Sequence, residues 1–240
     1  MQQHIAVVIC AAGSSNRMGG QKKEYMFLPS LSQKPLTVIG AAVSAFTSCP
    51  QVGPIVISIA PQELSSKKNS AQACLPGEIL NREGGVFFVP GGATRRASVE
   101  NALLFLKQLN PSYVLIHDGA RPWIKLELIE NCIKTVIRCG AVIPVLPLLE
   151  TPKEVFSPDG DLQFIKRHLK RSEIYSAQTP QCFSFPEILL AHEKAREREE
   201  KEFFEYTDDA EVWGEFVGKV AVIPGDPENK KITYPEDLGR

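Results

Sequence analysis

The sequence lacks the cysteine spacing of a metal site or of a disulfide framework. Its six cysteines, in a chain of 240 residues, are scattered, and none forms a Cys-x-x-Cys pair. Isolated cysteines of this kind are typical of core positions in proteins kept in a reducing compartment. No apolar run is long enough to cross a membrane, and the N-terminus lacks the basic segment of a signal peptide. We therefore expect a cytoplasmic protein.

The chain also has no excess of charge of either sign. It contains 27 Lys and Arg against 28 Asp and Glu, which gives a formal net charge of −1. General attraction to nucleic acid or to an anionic membrane needs a basic excess, so we expect neither partner. Any cations that bind an anionic ligand must be clustered locally. The hydrophobic content of 43% is that of an ordinary globular protein with a sizeable core.

Two common nucleotide motifs are absent after the first apolar run of the chain. Neither GxGxxG nor GxxxxGK[ST] follows residues 5–10, which argues against a dinucleotide-dependent oxidoreductase. The segment that does follow, AAGSSNRMGGQKKEY (11–25), combines small residues with the cations Arg17, Lys22 and Lys23. A small-residue turn after a strand often binds phosphate through its backbone N–H groups. This loop is therefore a candidate phosphate site.

Short apolar runs alternate with helical patterns along the chain. Strands are predicted at 5–10, 54–60, 86–89, 113–117, 141–146 and 220–223, and helices at 35–46, 94–109 and 126–140. Most of the strand runs show no polar–apolar alternation, as in strands that are covered on both faces. The alternation of strand and helix predicts an α/β fold with a mainly parallel sheet.

The segment from about 150 to 180 interrupts this pattern. It is polar and contains the turn sequence Ser-Pro-Asp-Gly at 157–160. A long irregular insert in a compact domain is usually functional or reaches a partner. We predict a single domain over 1–240 with a hairpin-like arm at about 150–178, which has little apolar surface to bury against its own domain. The charge run at 193–206 predicts the solvated face of a helix.

Polar residues gather after the predicted strands, where an open α/β sheet binds its ligands. They follow the first strand in the loop described above, the third in PGGATRRAS and the fourth in HDGARP. Glycines, cations and one aspartate at one edge suit a phosphorylated substrate and Mg²⁺, which one or two carboxylates hold together with substrate phosphates. Asp118 is the best candidate ligand, and a helix cap or turn is its alternative role. His117 is predicted to be a structural histidine.

Six motifs together resemble the 2-C-methyl-D-erythritol 4-phosphate cytidylyltransferase family. In the family's order they are AAGSSNRMG, GGATRRASV, HDGARP, QTPQCF, TDDA and KITYPEDL, and they span nearly the whole chain. The resemblance implies a Rossmann-like nucleotidyltransferase fold, with a β-arm that clasps a second subunit in a homodimer. It also implies Mg²⁺-dependent transfer of CMP from CTP to the sugar-alcohol phosphate, with release of pyrophosphate, in isoprenoid precursor biosynthesis.

The resemblance implies roles for individual residues. Ala11, Ala12 and Gly13 would begin the CTP loop, and Gly91, Arg95 and Ser98 would surround cytosine and ribose. Arg17 and Lys23 would bind the triphosphate and stabilise charge at the α-phosphorus. Asp118 would bind Mg²⁺ and approach the substrate. The acceptor phosphate would be held by Arg121, Thr151, Arg171, Thr207 and Lys231, with Arg171 able to serve the partner's site.

Three positions near the first loop and one in the arm depart from the family pattern. Ser15 stands where the pattern has a second glycine, and Glu150 where it has an aspartate. The family lysine follows a proline and precedes a glutamine, whereas here the order is Lys22-Lys23-Glu24, so either lysine could contact the triphosphate. Two other functions stay open: a ribitol-5-phosphate cytidylyltransferase, and a nucleotide-binding regulator without turnover.

Overall fold

The computed structural model describes residues 4–15, 18–19, 21–29, 35–64, 70–157, 160 and 162–239. Its strands are β1 (Ile5–Cys10), β2 (Val52–Ile59), β3 (Val86–Pro90), β4 (Tyr113–Asp118), β5 (Ala141–Pro147), β6 (Lys153–Phe156), β7 (Phe164–His168), β8 (Tyr175–Ala177), β9 (Gln181–Ser184) and β10 (Ala221–Pro224). Its helices are α1 (Val38–Thr47), α2 (Pro61–Leu64), α3 (Ser70–Ala73), α4 (Gly77–Leu80), α5 (Arg95–Leu106), α6 (Leu126–Cys139), α7 (Phe185–Glu199) and α8 (Asp209–Phe216). Short 3₁₀ turns lie at Lys23–Tyr25, Arg171–Glu173 and Pro235–Gly239.

The central sheet has the strand order β10-β5-β9-β4-β1-β2-β3, and β8 pairs with β5 beside this path. The pairs β1–β2, β1–β4, β2–β3 and β5–β10 are parallel. The short strands β8 and β9 run antiparallel to their neighbours. The predicted α/β fold with a mainly parallel sheet is therefore confirmed. The parallel strands run in the same direction, so their carboxyl ends lie together at one edge of the open sheet.

Helices cover both faces of the sheet and bury two separate apolar cores. Alternate residues of β1 face opposite cores: Val7 belongs to the core under α1 and α6, and Val8 to the core under α5, α7 and α8. Both side chains are fully buried. This double burial explains why the strand runs lack polar positions. Within the described residues, no helix is both long enough and apolar enough to cross a membrane.

The strand β9 is the main element that the sequence pattern did not predict. Its four residues lie between β4 and β5, with Cys182 opposite Leu115 on one side and Val142 on the other. Cys182 and Phe183 are fully buried. The run is short and directly follows a proline, so its composition reads as loop. The start predicted for α1 was also wrong, because Thr37 caps this helix by accepting a hydrogen bond from the Gly40 N–H at 3.0 Å.

The strands β6 and β7 form a separate two-stranded antiparallel sheet in the predicted arm. Large hydrophobic side chains are exposed on this arm and beside it, although its composition is polar. They are Leu149, Val155, Phe156, Leu162, Phe164, Ile165 and Tyr175. Of the predicted turn, Pro158 and Asp159 lie outside the described residues. An exposed apolar surface of this extent suits burial against another protein surface.

We predict opposite stability effects for alanine at two glycines. Gly140 ends α6 in the left-handed conformation, with φ of 80°, so Gly140→Ala should lower the free energy of unfolding by about 1 kcal/mol. Gly214 is exposed inside α8, with open space where a Cβ would stand. Gly214→Ala should raise the free energy of unfolding by roughly 0.5–1 kcal/mol. Urea unfolding followed by circular dichroism measures both, and equal effects at the two sites would contradict the reasoning.

Candidate active site

Three loops meet at the edge where the parallel strands end. Cys10, the last residue of β1, pairs with Asp118 at the end of β4 and with Ser58 near the end of β2. The chain segments that follow β1, β3 and β4 border a cleft of about 550 Å³. Its lining residues are Cys10, Ala12, Gly13, Ser14, Ser15, Lys23, Glu24, Gly92, Ala93, Thr94, Arg95, Ser98, Asp118, Ala120, Glu205, Lys231 and Thr233. The cleft therefore collects residues from four of the six motifs.

Close packing joins the first loop to the loop after β3. A Cβ at Gly91 would stand only 2.3 Å from the Cβ of Ala12, so this contact requires glycine. The hydroxyl of Ser98 accepts a hydrogen bond from the Gly92 N–H at 3.0 Å and donates to the Thr94 carbonyl at 2.9 Å. Ser98 thus shapes the wall of the cleft as well as lining it.

Asp118 is the electrostatic centre of the cleft. Its Oδ2 atom lies 3.0 Å from Lys231 Nζ and 3.3 Å from Arg121 Nε, and its Oδ1 atom lies 3.8 Å from Arg95 Nε. Burial acts to raise the pKa of this carboxyl, but the three cations outweigh burial and hold the pKa well below the ordinary value of an aspartate. Asp118 therefore stays ionised, with cations on both of its oxygens.

Asp209 is a site residue that the sequence reasoning missed. Its Oδ2 atom accepts a hydrogen bond from Arg95 Nη1 at 2.7 Å, and only 1% of the residue is exposed. Its backbone N–H donates to the Gln181 side chain of β9 at 3.0 Å. Arg95 is thus held between Asp118 and Asp209. The TDDA motif contains Asp209, but the family resemblance implied a role only for its Thr207.

A second cavity of about 240 Å³ adjoins the cleft and shares Arg95, Asp118 and Lys231 with it. Its other lining residues are Arg121, Ala177, Gln178, Thr179, Gln181, Thr207 and Asp208. Thr207 is exposed, and its hydroxyl and N–H both donate to Glu211 Oε2 at 2.8 Å. Asp118 and the ammonium of Lys231 thus stand at the junction of two polar spaces, which is the arrangement that a two-substrate reaction needs.

A family model described as 2-C-methyl-D-erythritol 4-phosphate cytidylyltransferase (IspD) matches residues 5–240. The chain belongs to this family. The resemblance drawn from the six motifs is therefore confirmed, and the match covers both cavities and the arm.

Curated relatives of this family member are longer than the chain itself. The bifunctional enzyme IspD/IspF of Bartonella tribocorum is 37% identical over 238 residues, which cover 99% of this chain and 55% of the relative. The enzyme of the same name from Bartonella henselae is 39% identical over 234 residues, covering 98% and 55%. The chain thus spans about half the length of the curated relatives it matches.

Solved structures of the family share the fold over nearly their whole length. The 4-diphosphocytidyl-2C-methyl-D-erythritol synthase from Anaerococcus prevotii is 27% identical, with a TM-score of 0.72 and coverage of 99% of this chain and 96% of that one. The 2-C-methyl-D-erythritol 4-phosphate cytidylyltransferase from Thermus thermophilus is also 27% identical, with a TM-score of 0.68 and the same coverage. The cytidylyltransferase fold therefore extends over the described chain.

The geometry distinguishes the two lysines that the IspD motif left open. Lys22 Nζ donates to the Gly13 carbonyl at 2.7 Å and to the Ala11 carbonyl at 3.3 Å, and it lies 3.7 Å from Glu63 Oε1. Lys23 instead lines the cleft, and 9% of it is exposed. The ammonium of Lys22 is thus engaged by the loop backbone, so of these two adjacent lysines it is Lys23 that lines the cleft.

Four described residues assigned by the family motifs line neither cavity of this chain, namely Ala11, Gly91, Thr151 and Arg171. Arg17 lies outside the described residues. Thr151 is exposed at the base of the arm, and Arg171 is exposed on the 3₁₀ turn, where its Nη1 donates to the Leu149 carbonyl at 2.8 Å. The remaining assigned residues, apart from Ala11 and Gly91, which lie behind the cleft wall, border one or both cavities.

One carboxylate of the cleft fits a magnesium ion of the family's chemistry. Asp118 borders both cavities, whereas Asp209 is buried against Arg95 and His192. The described residues contain no group of three or more His, Cys, Asp or Glu side chains that could hold a metal by themselves. A single carboxylate fits Mg²⁺ only when substrate phosphates complete the coordination. The donor set therefore fits a metal that arrives with its nucleotide.

His117 is fully buried behind Asp118 and uses both of its ring nitrogens. Nδ1 lies 3.0 Å from the Thr179 hydroxyl, and Nε2 lies 3.1 Å from the Arg121 carbonyl. Thr179 Oγ1 also accepts a hydrogen bond from the Asp118 N–H at 3.1 Å. His117 therefore connects β4, the segment just before β9 and the loop that carries Arg121, as predicted for a structural histidine.

We predict an acid-dependent loss of stability from His117. Burial lowers its pKa to about 4, below the unfolded value of about 6.5, so the unfolded state binds the extra proton first. The contribution of neutral His117 to the free energy of unfolding is complete above pH 6.5 and is lost as the pH falls through the folded pKa. The free energy of unfolding falls over this range with a slope of up to about 1.4 kcal/mol per pH unit. His117→Gln should flatten the fall in unfolding free energy between pH 6.5 and 4. The exposed His168→Gln should retain it, and equal slopes in the two variants would contradict the assignment.

Proposed function

We propose that the chain transfers CMP from CTP to 2-C-methyl-D-erythritol 4-phosphate, giving 4-diphosphocytidyl-2-C-methyl-D-erythritol and pyrophosphate. The observation that carries this proposal is the position of Asp118 and its three cations at the junction of two polar cavities. The larger cavity offers the small-residue loops suited to a nucleotide. The smaller one offers the hydroxyl, amide and guanidinium groups suited to a sugar-alcohol phosphate. Membership of the IspD family supports the choice of both substrates.

The triphosphate lies against the first loop in this proposal. Gly13 has open space where a side chain would stand, so a phosphate can approach its backbone closely. Lys23 brings a positive charge to the same cleft, and Arg17 acts with it as the family motif implies. Gly91 and Ser98 shape the opposite wall, where the cytosine and ribose bind. A wall of this kind excludes purines by size and reads the pyrimidine edge through backbone groups.

The reaction itself needs positioning more than acid–base catalysis. A phosphate oxygen of the acceptor attacks the α-phosphorus of CTP in line, a new P–O bond forms, and the bond from the α-phosphorus to the bridging oxygen breaks as pyrophosphate leaves. The attacking phosphate is already anionic, so no general base is required. The barrier comes mainly from bringing two polyanions together, and Lys23, Lys231 and Arg121 reduce that repulsion.

Asp118 would hold the divalent metal, which neutralises triphosphate charge when bound. The carboxylate suits this task because its cationic neighbours keep it ionised. Arrival of the triphosphate gives the same cations a second anionic partner. Lys231, 39% exposed at its side chain and facing the cleft, is then able to contact both the nucleotide and the acceptor.

The arm completes the site of a second subunit in the proposed homodimer. Arg171 and Thr151 lie away from both cavities of their own chain, yet the family motifs assign them to the acceptor phosphate. The exposed apolar side chains of β6 and β7 give the arm a surface that favours association. A two-fold dimer is the commonest closed assembly, and it would exchange the two arms symmetrically.

We predict turnover with CTP, Mg²⁺ and 2-C-methyl-D-erythritol 4-phosphate, measured as pyrophosphate release. ATP and GTP should fail because a purine does not fit, and UTP should fail because its exchanged donor and acceptor leave buried groups unpaired, at about 1–3 kcal/mol each. Ribitol 5-phosphate, the substrate of the alternative function, is assayed as the acceptor under the same conditions. Preference for ribitol would reassign the acceptor, and binding of CTP without pyrophosphate release would identify a regulator instead of an enzyme.

Asp118→Asn provides the inactive control for this assay. The amide is nearly isosteric with the carboxylate but is a much poorer ligand for a hard cation, so Mg²⁺-dependent turnover should be lost while the far-UV circular dichroism stays that of the folded protein. The melting temperature should fall, because Lys231, Arg121 and Arg95 lose their common anionic partner. A variant with near-normal activity would show that Asp118 serves only the structure of the loop.

We predict that two inactive variants restore activity when their subunits mix. Arg171→Ala and Lys231→Ala should each lower acceptor-dependent turnover by about ten- to a hundred-fold, with CTP affinity nearly unchanged for Arg171→Ala. If the arm acts in trans, a mixed dimer contains one site with both residues intact, which is about one site in four after random pairing. Activity should therefore reappear on mixing.

The control for this experiment is proof of subunit exchange. Mass spectrometry of differently labelled chains shows whether mixed dimers have formed. If they form and no activity returns, Arg171 acts within its own chain or has no role in the reaction. Mixing Arg171→Ala with itself under the same conditions sets the background.

A further inference from the structure

The first loop contains a strained residue whose side chain has a specific partner. Ser15 has a φ of 52°, in the left-handed region that a residue with a Cβ adopts only at a cost. Its hydroxyl lies 3.3 Å from Glu24 Oε2, within hydrogen-bond distance. This is the position at which the family pattern has glycine. The chain therefore keeps the backbone conformation of a glycine and adds a side-chain contact to it.

Glu24 is an unexpected group in a cleft that takes a triphosphate. Only 4% of the residue is exposed, and it lines the cleft together with Ser15. A carboxylate beside an anionic ligand opposes binding unless it has another task. Its contact with Ser15 supplies one, because it ties the loop after β1 to the 3₁₀ turn that carries Lys23. Burial raises the pKa of the Glu24 carboxyl, so this group loses its negative charge at a less acidic pH than an exposed glutamate does.

Lys22 holds the same loop from its other side. Its ammonium donates to the carbonyls of Ala11 and Gly13, and it is not among the described residues that line the cleft. In a trans peptide the carbonyl and the following N–H point in opposite directions. The N–H groups of Ala12 and Ser14 therefore point away from Lys22. Both residues line the cleft, so these N–H groups are available on the side where phosphates would bind.

We propose that Ser15, Lys22 and Glu24 form a brace that holds residues 11–15 of the first loop in their triphosphate-binding conformation without contacting the triphosphate themselves. The inference rests on the proposed function for the identity of the ligand. The three members are the positions near this loop where the chain departs from the family pattern of glycine, proline and glutamine. They are positioning residues, whereas Lys23 lines the cleft itself.

The substitution series at Ser15 separates the brace from a direct contact. Ser15→Ala keeps the energetic cost of the left-handed conformation but loses the hydroxyl contact that offsets this cost. The CTP dissociation constant measured by calorimetry should therefore rise by about tenfold. Ser15→Gly loses the hydroxyl and the strain together, so its affinity should lie within about threefold of wild type. If the hydroxyl contacted the triphosphate, the two variants would be weakened equally. The far-UV circular dichroism should be unchanged in both, which shows that each variant is folded.

Coupling between the partners gives a second measurement. Once Glu24→Ala has removed the carboxylate that accepts the Ser15 hydrogen bond, adding Ser15→Ala should change CTP affinity by less than about twofold. Full additivity of the two effects would overturn the Ser15–Glu24 half of the brace. The KM for 2-C-methyl-D-erythritol 4-phosphate should stay unchanged in all of these variants, because the brace lies on the nucleotide side of the site.

Hydrogen exchange without nucleotide tests Lys22 independently of the proposed function. Lys22→Met should speed exchange of the amides at 12–15, since the carbonyls lose their donor, while the exposed Lys107→Met leaves these amides unchanged. Unchanged exchange in Lys22→Met would overturn its role in the brace. If wild-type protein failed to bind CTP, the proposed function would fall, and the exchange experiment would still decide whether the loop is braced.

Discussion

The ionised carboxylate of Asp118 is the interaction on which the site depends. A buried aspartate surrounded by water-excluding strands would normally be unfavourable. Here Lys231, Arg121 and Arg95 supply the compensating charge, and each comes from a different part of the chain. Removal of the carboxylate would leave three cations facing one another with no common partner. The same cluster shows that a chain with almost no net charge can still concentrate cations at one edge of its sheet.

The fold brings these groups together through the register of its central strands. The pairing of Cys10 with Asp118 places the end of β1 beside the end of β4, so that the first loop and the aspartate share one cleft. The unpredicted strand β9 contributes to the same end, because its neighbour Thr179 bonds to the Asp118 N–H and its Gln181 holds the start of α8. Asp209 at that start then orients Arg95. The antiparallel strand is thus part of the support for the site and not only of the sheet.

Much of this arrangement was predictable from the sequence where a long apolar run or a strong terminus signal exists. The strand at 5–10 and the end of α6 at Gly140 agree with the pattern, because doubly buried strands and left-handed glycine caps have clear signatures. The strand β9 was missed because four residues after a proline carry no periodicity. The choice between Lys22 and Lys23 was open because adjacent lysines differ only in the direction of their side chains. The exposed apolar side chains of the arm form no pattern in the sequence because they are dispersed among charges.

The position of Lys231 has a consequence for how the protein comes into being. Its segment is attached to the rest of the site through the Ile232 N–H, which donates to the Ala120 carbonyl at 2.9 Å, and through Asn229, whose carbonyl accepts from Arg121 Nη1 at 2.7 Å. The first loop leaves the ribosome more than two hundred residues before this segment does. A nascent chain can therefore fold its parallel strands and still lack a cation at Asp118. Under the proposed function, the site is complete only when this segment docks, so a nascent chain that still lacks it would be inactive toward CTP.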